Sequence, residues 1–167
     1  MVRSRLMLAL CACALWGAED TRGYHRFPAV RGDQVVFTSE GALWTAPLAG
    51  GVAARLTTHP GEESRAAFSP DGAWIAFTAS YEGSPEAYVM AAAGGVPKRL
   101  SFGGGRVLGW SPQGEVAYVT QAPQGASGQT VVACVHPATG AQRVLLGPQV
   151  ARGLGAVWAR NLARECG

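Results

Sequence analysis

Three copies of a segment of roughly 42 residues, four short alternating runs in each copy and a recurring turn code predict an all-β chain. The architecture they imply is a partial β-propeller of about three four-stranded blades, preceded by a signal peptide. The 167 residues are enough for one ordinary domain. They divide as a signal segment at 1–18, repeats at 24–61, 62–104 and 105–146, and an irregular tail at 147–167.

The first segment, "MVRSRLMLALCACALWGAED", places Arg3 and Arg5 before an apolar run from Leu6 to Trp16 and then turns acidic at Glu19-Asp20. That order is basic n-region, short h-region, small residues near the cut. The run is too short to cross a bilayer of ~30 Å as a helix. Three readings of the processing site stay open: cleavage after Ala18, cleavage at Ala12-Cys13-Ala14, and a loose lipoprotein box at Leu10–Cys13 with Cys13 acylated. A periplasmic or extracellular location is expected, with an uncleaved start as the remaining reading.

The repeat keeps register in three places. Phe27, Phe68 and Trp110 stand 41 and 42 residues apart; Phe37, Phe77 and Tyr118 stand 40 and 41 apart; Leu56, Leu100 and Leu145 stand 44 and 45 apart. In the middle copy the runs Arg65–Phe68, Trp74–Ala79, Glu86–Ala91 and Pro97–Leu100 have the period of strands. Between the first two lies Ser-Pro-Asp-Gly. Proline presets φ, Asp caps the local backbone, and Gly accepts positive φ. "AGG" at Ala49–Gly51 and Ala93–Gly95 marks the third turn. Trp74, Ala76 and Thr78 face one side of the second strand, and Ile75, Phe77 and Ala79 the other. Both sides are largely apolar, so each sheet is expected to lie between two others. Helical repeats would need stripes of 3.6 period, and a sandwich gives no reason for self-similarity at this distance.

The tail "GPQVARGLGAVWARNLARECG" lacks the turn code. A degenerate start of a fourth blade, a capping segment and sequence read past a frameshift all fit it. Because propellers close with four to eight blades, the sequence reads as part of a longer protein.

Composition excludes other classes. Hydrophobic residues make up 48% and charged residues 15%, so the chain is not of disordered composition. The formal charge is +3, and residues 1–18 hold two arginines and no acid. A near-neutral mature chain with scattered bases has no nucleic-acid footprint. Cys11 and Cys13 belong to the signal segment; Cys134 lies in an apolar run that suits a buried thiol, with a Cys134–Cys166 bridge as the alternative.

"FSPDGAWIAFTA…EAYVMAAAGGVPKRLS" resembles the WD-like repeats of TolB-type periplasmic propellers and of the tricorn protease family. The ordered run from "RFP" through "LWT", "GG", "RLT" and "HPG" to "SPDG" is similar to the opening of the tricorn N-terminal propeller, and "RVLGWSPQGEVAYVT" to its third blade. The likeness spans Tyr24 to about Leu145. It implies a large parent with a second propeller, a PDZ-like domain and a catalytic part with a serine nucleophile, in which the propellers sieve or channel peptides. No catalytic motif has a matching position in this sequence, so no catalytic residue is carried over. The expected role is a non-catalytic propeller fragment of a tricorn-like serine peptidase, acting in peptide gating or protein interaction. The alternative is a TolB-like periplasmic scaffold that binds an envelope protein. Expected partners are peptides or a protein, together with the missing blades and catalytic domains; no membrane span is expected.

Other candidates carry bland readings. His25, His59 and His136 fall in different repeats or linkers and read as solvated loop residues. Glu62-Glu63 reads as a charged lead-in to a blade, since neighbouring carboxylates alternate faces on a strand. Ser69 and Ser111 read as turn serines with no base beside them, and Gly103–Gly105 as an inter-blade linker with no P-loop lysine. Trp44, Trp74 and Trp110 read as core aromatics between blades. A lyase-like channel site would need clustered His and acid on the loops, which this pattern does not offer. No catalytic, cofactor or metal residue is assigned.

Overall fold

The structure is a computed structural model that describes residues 24–121 and 130–146. The signal segment with Cys11 and Cys13, the tail and Cys166 lie outside the described residues. Among the described residues twelve strands fall into three four-stranded antiparallel sheets, each in simple sequence order. The first holds β1 (Arg26–Arg31), β2 (Gln34–Ser39), β3 (Ala42–Pro47) and β4 (Ala54–Arg55). The second holds β5 (Glu63–Phe68), β6 (Trp74–Ala79), β7 (Glu86–Ala91) and β8 (Lys98–Arg99). The third holds β9 (Arg106–Trp110), β10 (Val116–Gln121), β11 (Thr130–Val135) and β12 (Gln142–Leu146). The expected β6 and β7 are found as expected; β5 begins two residues earlier, and β8 is shorter than its run of alternating residues.

Alternation places the core between sheets, not within one. Ile75, Phe77, Tyr88 and Met90 of the second blade pack with Val36, Leu43 and Leu56 of the first. From the opposite side, Ala76, Ala87, Val89 and Leu100 pack with Val107, Val116, Tyr118 and Val135 of the third. The middle sheet is therefore apolar on both faces, as its sequence requires. Each fully buried large side chain contributes about 1.5–3 kcal/mol. The first strands β1, β5 and β9 are neighbours, so the blades fan out from a shared inner edge.

One landmark is corrected by the register. Phe68 pairs with Ile75 and Trp110 with Val116, but the matching pair in the first blade is Val30 with Val35. Phe27 instead occupies a bulge, at φ 53°, where Arg65 sits at φ 55° in the next blade. The cause is a shorter first hairpin, Arg31–Gln34, in place of the Ser-Pro-Asp-Gly loop. In the longer loop Ser69 and Asp71 hold the turn. Ser69 Oγ accepts from Trp74 N–H at 2.9 Å and donates to Asp71 Oδ1 at 2.5 Å, while Asp71 Oδ1 accepts from Ala73 N–H at 3.0 Å. Ser111 repeats the motif, accepting from Glu115 N–H at 3.1 Å. Gly72 and Gly114, at φ 78° and 79°, supply the positive φ that both turns need.

Each joint between blades also contains a buried carboxylate. At the first, Glu63 is 1% exposed and accepts from Leu43 N–H at 2.9 Å, from the Thr57 hydroxyl and from the Tyr81 phenol. The lead-in reading of this residue is thus wrong: it is a buried acceptor, and only Glu62 is exposed. Burial, reinforced by the hydrogen bond to Glu63, pushes the Tyr81 phenol well above its ordinary pKa. At the second joint Ser101 replaces Thr57, donating to Glu86 at 2.5 Å while accepting from Ala87 N–H at 2.8 Å. Glu86 also accepts from Arg99 at 2.8 Å and from Gly103 and Gly104 N–H, each at 3.0 Å.

The two acids reach the same spot from different strands. Glu63 N–H bonds to Gly41 O, and in the next joint Gly105 N–H bonds to Pro85 O, which makes positions 63 and 105 equivalent. Gly105 leaves the room that Glu86 fills: a Cβ there would lie 2.0 Å from Ser101 Oγ and 2.9 Å from Ala87 N. In the first blade the position of Glu86 is Ala42. One carboxylate therefore serves each joint.

Three outcomes follow from this packing. Phe77→Asp puts an unpaired charge between two sheets and should cost about 3–5 kcal/mol in denaturant unfolding; an unchanged midpoint would contradict the inter-blade position. Gly105→Ala should cost about 1–3 kcal/mol through overpacking, read the same way. For Glu86, burial raises the carboxyl pKa, but Ser101, the Gly104 N–H and Arg99 outweigh it and hold the group below its ordinary value. Its stabilisation is then present above the ordinary carboxyl pKa and lost as pH falls below it. Glu86→Gln should lower stability by about 1–3 kcal/mol at neutral pH and flatten the acid limb of a stability–pH curve.

Candidate binding groove

The histidines stay apart. His25 meets the Phe37 ring edge-on at 4.9 Å, His59 lies on Tyr81 at 3.9 Å, and His136 sits in the turn between β11 and β12. Ser69 and Ser111 are buried and committed to their turns. Among the described residues no group of three or more His, Cys, Asp or Glu could hold a metal ion, and no helix is long and apolar enough to cross a membrane. Cys134 is fully buried.

Two surfaces remain. The first is the inner edge, where Arg26 and Arg65 place their guanidinium carbons 5.6 and 5.0 Å from the centre of the Phe27 ring. Burial, with the charge of Arg106 nearby, lowers the Arg65 pKa. Among the described residues neither Arg65 nor Arg106 has a carboxylate partner. Arg26, Arg65 and Arg106 thus bring positive charge to the inner edge.

The second is a groove of about 510 Å³ at the turn ends of the second and third blades. Antiparallel order brings the β5–β6, β7–β8, β9–β10 and β11–β12 turns to this one end. Buried Val89, on the face toward the third blade, forms the floor, and Trp74 and Trp110 stand on the walls. Trp110 is tied across the joint, its Nε1–H donating to Ala67 O at 2.9 Å. Trp74 is 44% exposed and Val96, on the rim, 94%. The core reading thus holds for Trp110 but not for Trp74, whose position on the first residue of β6 lies beyond the cover of the third blade. Trp44 is half-buried and follows Leu43, so it faces away from the second blade; its Nε1–H donates to Ser39 O at 3.1 Å.

Charge at the groove is mixed. The Asp71 carboxylate is exposed and lies below its ordinary pKa, held there by the Ser69 hydroxyl and the Ala73 N–H. Lys98 also lines the groove, and its Nζ donates to Pro137 O at 2.7 Å. Sequence reading missed this site. The usable signal was the register itself: the position of Trp74 is Gln34 in the first blade and Glu115 in the third, so the fold does not ask for an aromatic there.

Comparison with known proteins matches this geometry to a family. Residues 22–157 match the tricorn protease N-terminal beta propeller domain. Tricorn protease homolog 1 of Streptomyces coelicolor is 40% identical over 96 residues, 56% of this chain and 9% of that protein. The crystal structure of the tricorn protease superposes with a TM-score of 0.58 at 26% identity, over 68% of this chain and 12% of the other. A TolB from Agrobacterium tumefaciens superposes with a TM-score of 0.67 at 23% identity, over 77% of this chain and 48% of the other, a likeness of fold. The aligned stretch is thus a small part of these tricorn proteins, and 53% of a tricorn-like protease N-terminal subunit of Sulfurisphaera tokodaii, which is 34% identical over 104 residues. Sheet order, joint packing and a family match over most of its length agree: the chain belongs to the tricorn protease N-terminal β-propeller family.

Proposed function

We propose that this chain acts as the non-catalytic N-terminal propeller of a larger tricorn-like serine peptidase, where it gates or binds peptides. The observation that carries the reading is the match of 22–157 to that N-terminal domain, beside a relative of which the aligned stretch is only 9%. The arginines of the inner edge support it, since the shared strands β1, β5 and β9 are where a peptide passing the propeller would meet protein. Cleavage chemistry belongs to the remainder of the parent, and Ser69, Ser101 and Ser111 are committed to turns and joints.

The test uses the chain with an unstructured peptide bearing a photo-cross-linker. The expected result is labelling on the inner strands and an intact peptide by mass spectrometry. Hydrolysis above background, or labelling no stronger than on serum albumin, overturns the proposal.

Export is part of the same proposal and rests on the basic-then-apolar order of residues 1–18. N-terminal sequencing of the protein from an envelope fraction should begin at Leu15 or Glu19, or find an acylated Cys13. A start at Met1 overturns export.

A further inference from the structure

We infer that the groove between the second and third blades is a second peptide site, which takes a short peptide with free termini by its bulky apolar side chain. The inference deepens the peptide-handling role and rests on it, but it places binding at the turn ends of the blades instead of the inner edge.

The repeat supplies an internal control. A side chain demanded by the blade fold should recur at its register position, and Trp74 does not. Its counterparts are Gln34 and Glu115, and the counterparts of its neighbour Lys98 are Ala54 and Arg143. In the third blade these two positions are joined by the Glu115–Arg143 ion pair at 2.6 Å. The fold is thus content with polar or small residues at this outer corner. The second blade alone places an indole there, 44% exposed, beside a floor of buried Val89. An exposed tryptophan over an apolar floor stabilises the free protein little; covered by a ligand, it removes a large apolar area from water.

Charge selects the occupant. The groove has one exposed carboxylate, Asp71, and one ammonium, Lys98, on a largely apolar lining to which Gln113 and His136 add further polar side chains. A lipid surface or a nucleic acid would meet Asp71 with like charge. A zwitterion with an apolar middle is complementary to both: its amino end answers Asp71, its carboxylate answers Lys98, and its side chain lies between Trp74 and Trp110. The volume of about 510 Å³ is within the range of small-ligand pockets.

The test titrates the full chain by calorimetry with the tripeptide Ala-Phe-Ala, its acetylated and amidated form, and Ala-Ser-Ala. The expected result is saturable binding of free Ala-Phe-Ala, weaker binding of the blocked form, and little binding of Ala-Ser-Ala. Trp74→Gln, the residue the first blade carries, should weaken binding by roughly tenfold with the thermal midpoint nearly unchanged. Should that variant melt early, Val96→Asp at the exposed rim serves instead. Lys98→Gln should bring the free peptide down to the affinity of the blocked one. No binding of free Ala-Phe-Ala, equal binding of free and blocked forms, or full affinity in both rim variants overturns the inference. Mass spectrometry of the recovered peptide keeps the two proposals apart: an intact but unbound peptide sinks the groove alone, whereas a cleaved one sinks the non-catalytic reading.

Discussion

The constraint on which the rest depends is the joint between blades. A four-stranded antiparallel sheet with apolar residues on both faces has no stable existence in water, and every blade must be covered from each side. The middle blade meets that demand with Phe77 and Met90 on one face and Ala76 and Val89 on the other. Large side chains toward the first blade and small ones toward the third leave the two joints differently filled. Into each a single carboxylate is inserted, and its hydrogen bonds offset the cost of burial. Apolar contact gives the joints their strength. The acid, bonded to a specific backbone N–H and a specific hydroxyl, fixes how one sheet sits on the next.

Much of the architecture was legible because strand periodicity, turn chemistry and the repeat all point the same way. Ser69, Asp71 and Gly72 behave as their residue types demand, and so do the alternating faces of β6. The Phe27 landmark failed for a local reason. Similar residues were matched by distance, and a shorter hairpin with a bulge shifted the true equivalent to Val30. Glu63 failed for a non-local one. Its partners Leu43 and Thr57 lie in the preceding blade, and nothing in the run "PGEES" announces them. Burial of a charge is a property of the assembled joint, which no single segment carries.

The site divides in the same way. The inner edge could be inferred once the first strands were known to lie side by side, but its charge depends on which bulged residues turn inward. The groove was hidden by a sound general rule, that tryptophans in β repeats are core. Trp110 obeys it through its bond to Ala67. Trp74 breaks it because it stands one residue before the buried stretch begins. Comparing the copies with one another, position by position, separates what the fold requires from what it merely permits.

The exchange of Glu63 for Glu86 gives the blades an order that evolution cannot shuffle freely. A tandem duplication of the middle unit would bring Glu86 and the incoming twin of Glu63 into one dry hole, two anions where one is accommodated. Its deletion would join Ala42 to Gly105 and leave the Thr57 hydroxyl with no acid to donate to and the Leu43 amide with Thr57 Oγ1 alone. Whole-unit gain or loss, the easiest way for a repetitive gene to change length, is thus penalised at this joint, and the chain keeps its modules in sequence by electrostatics.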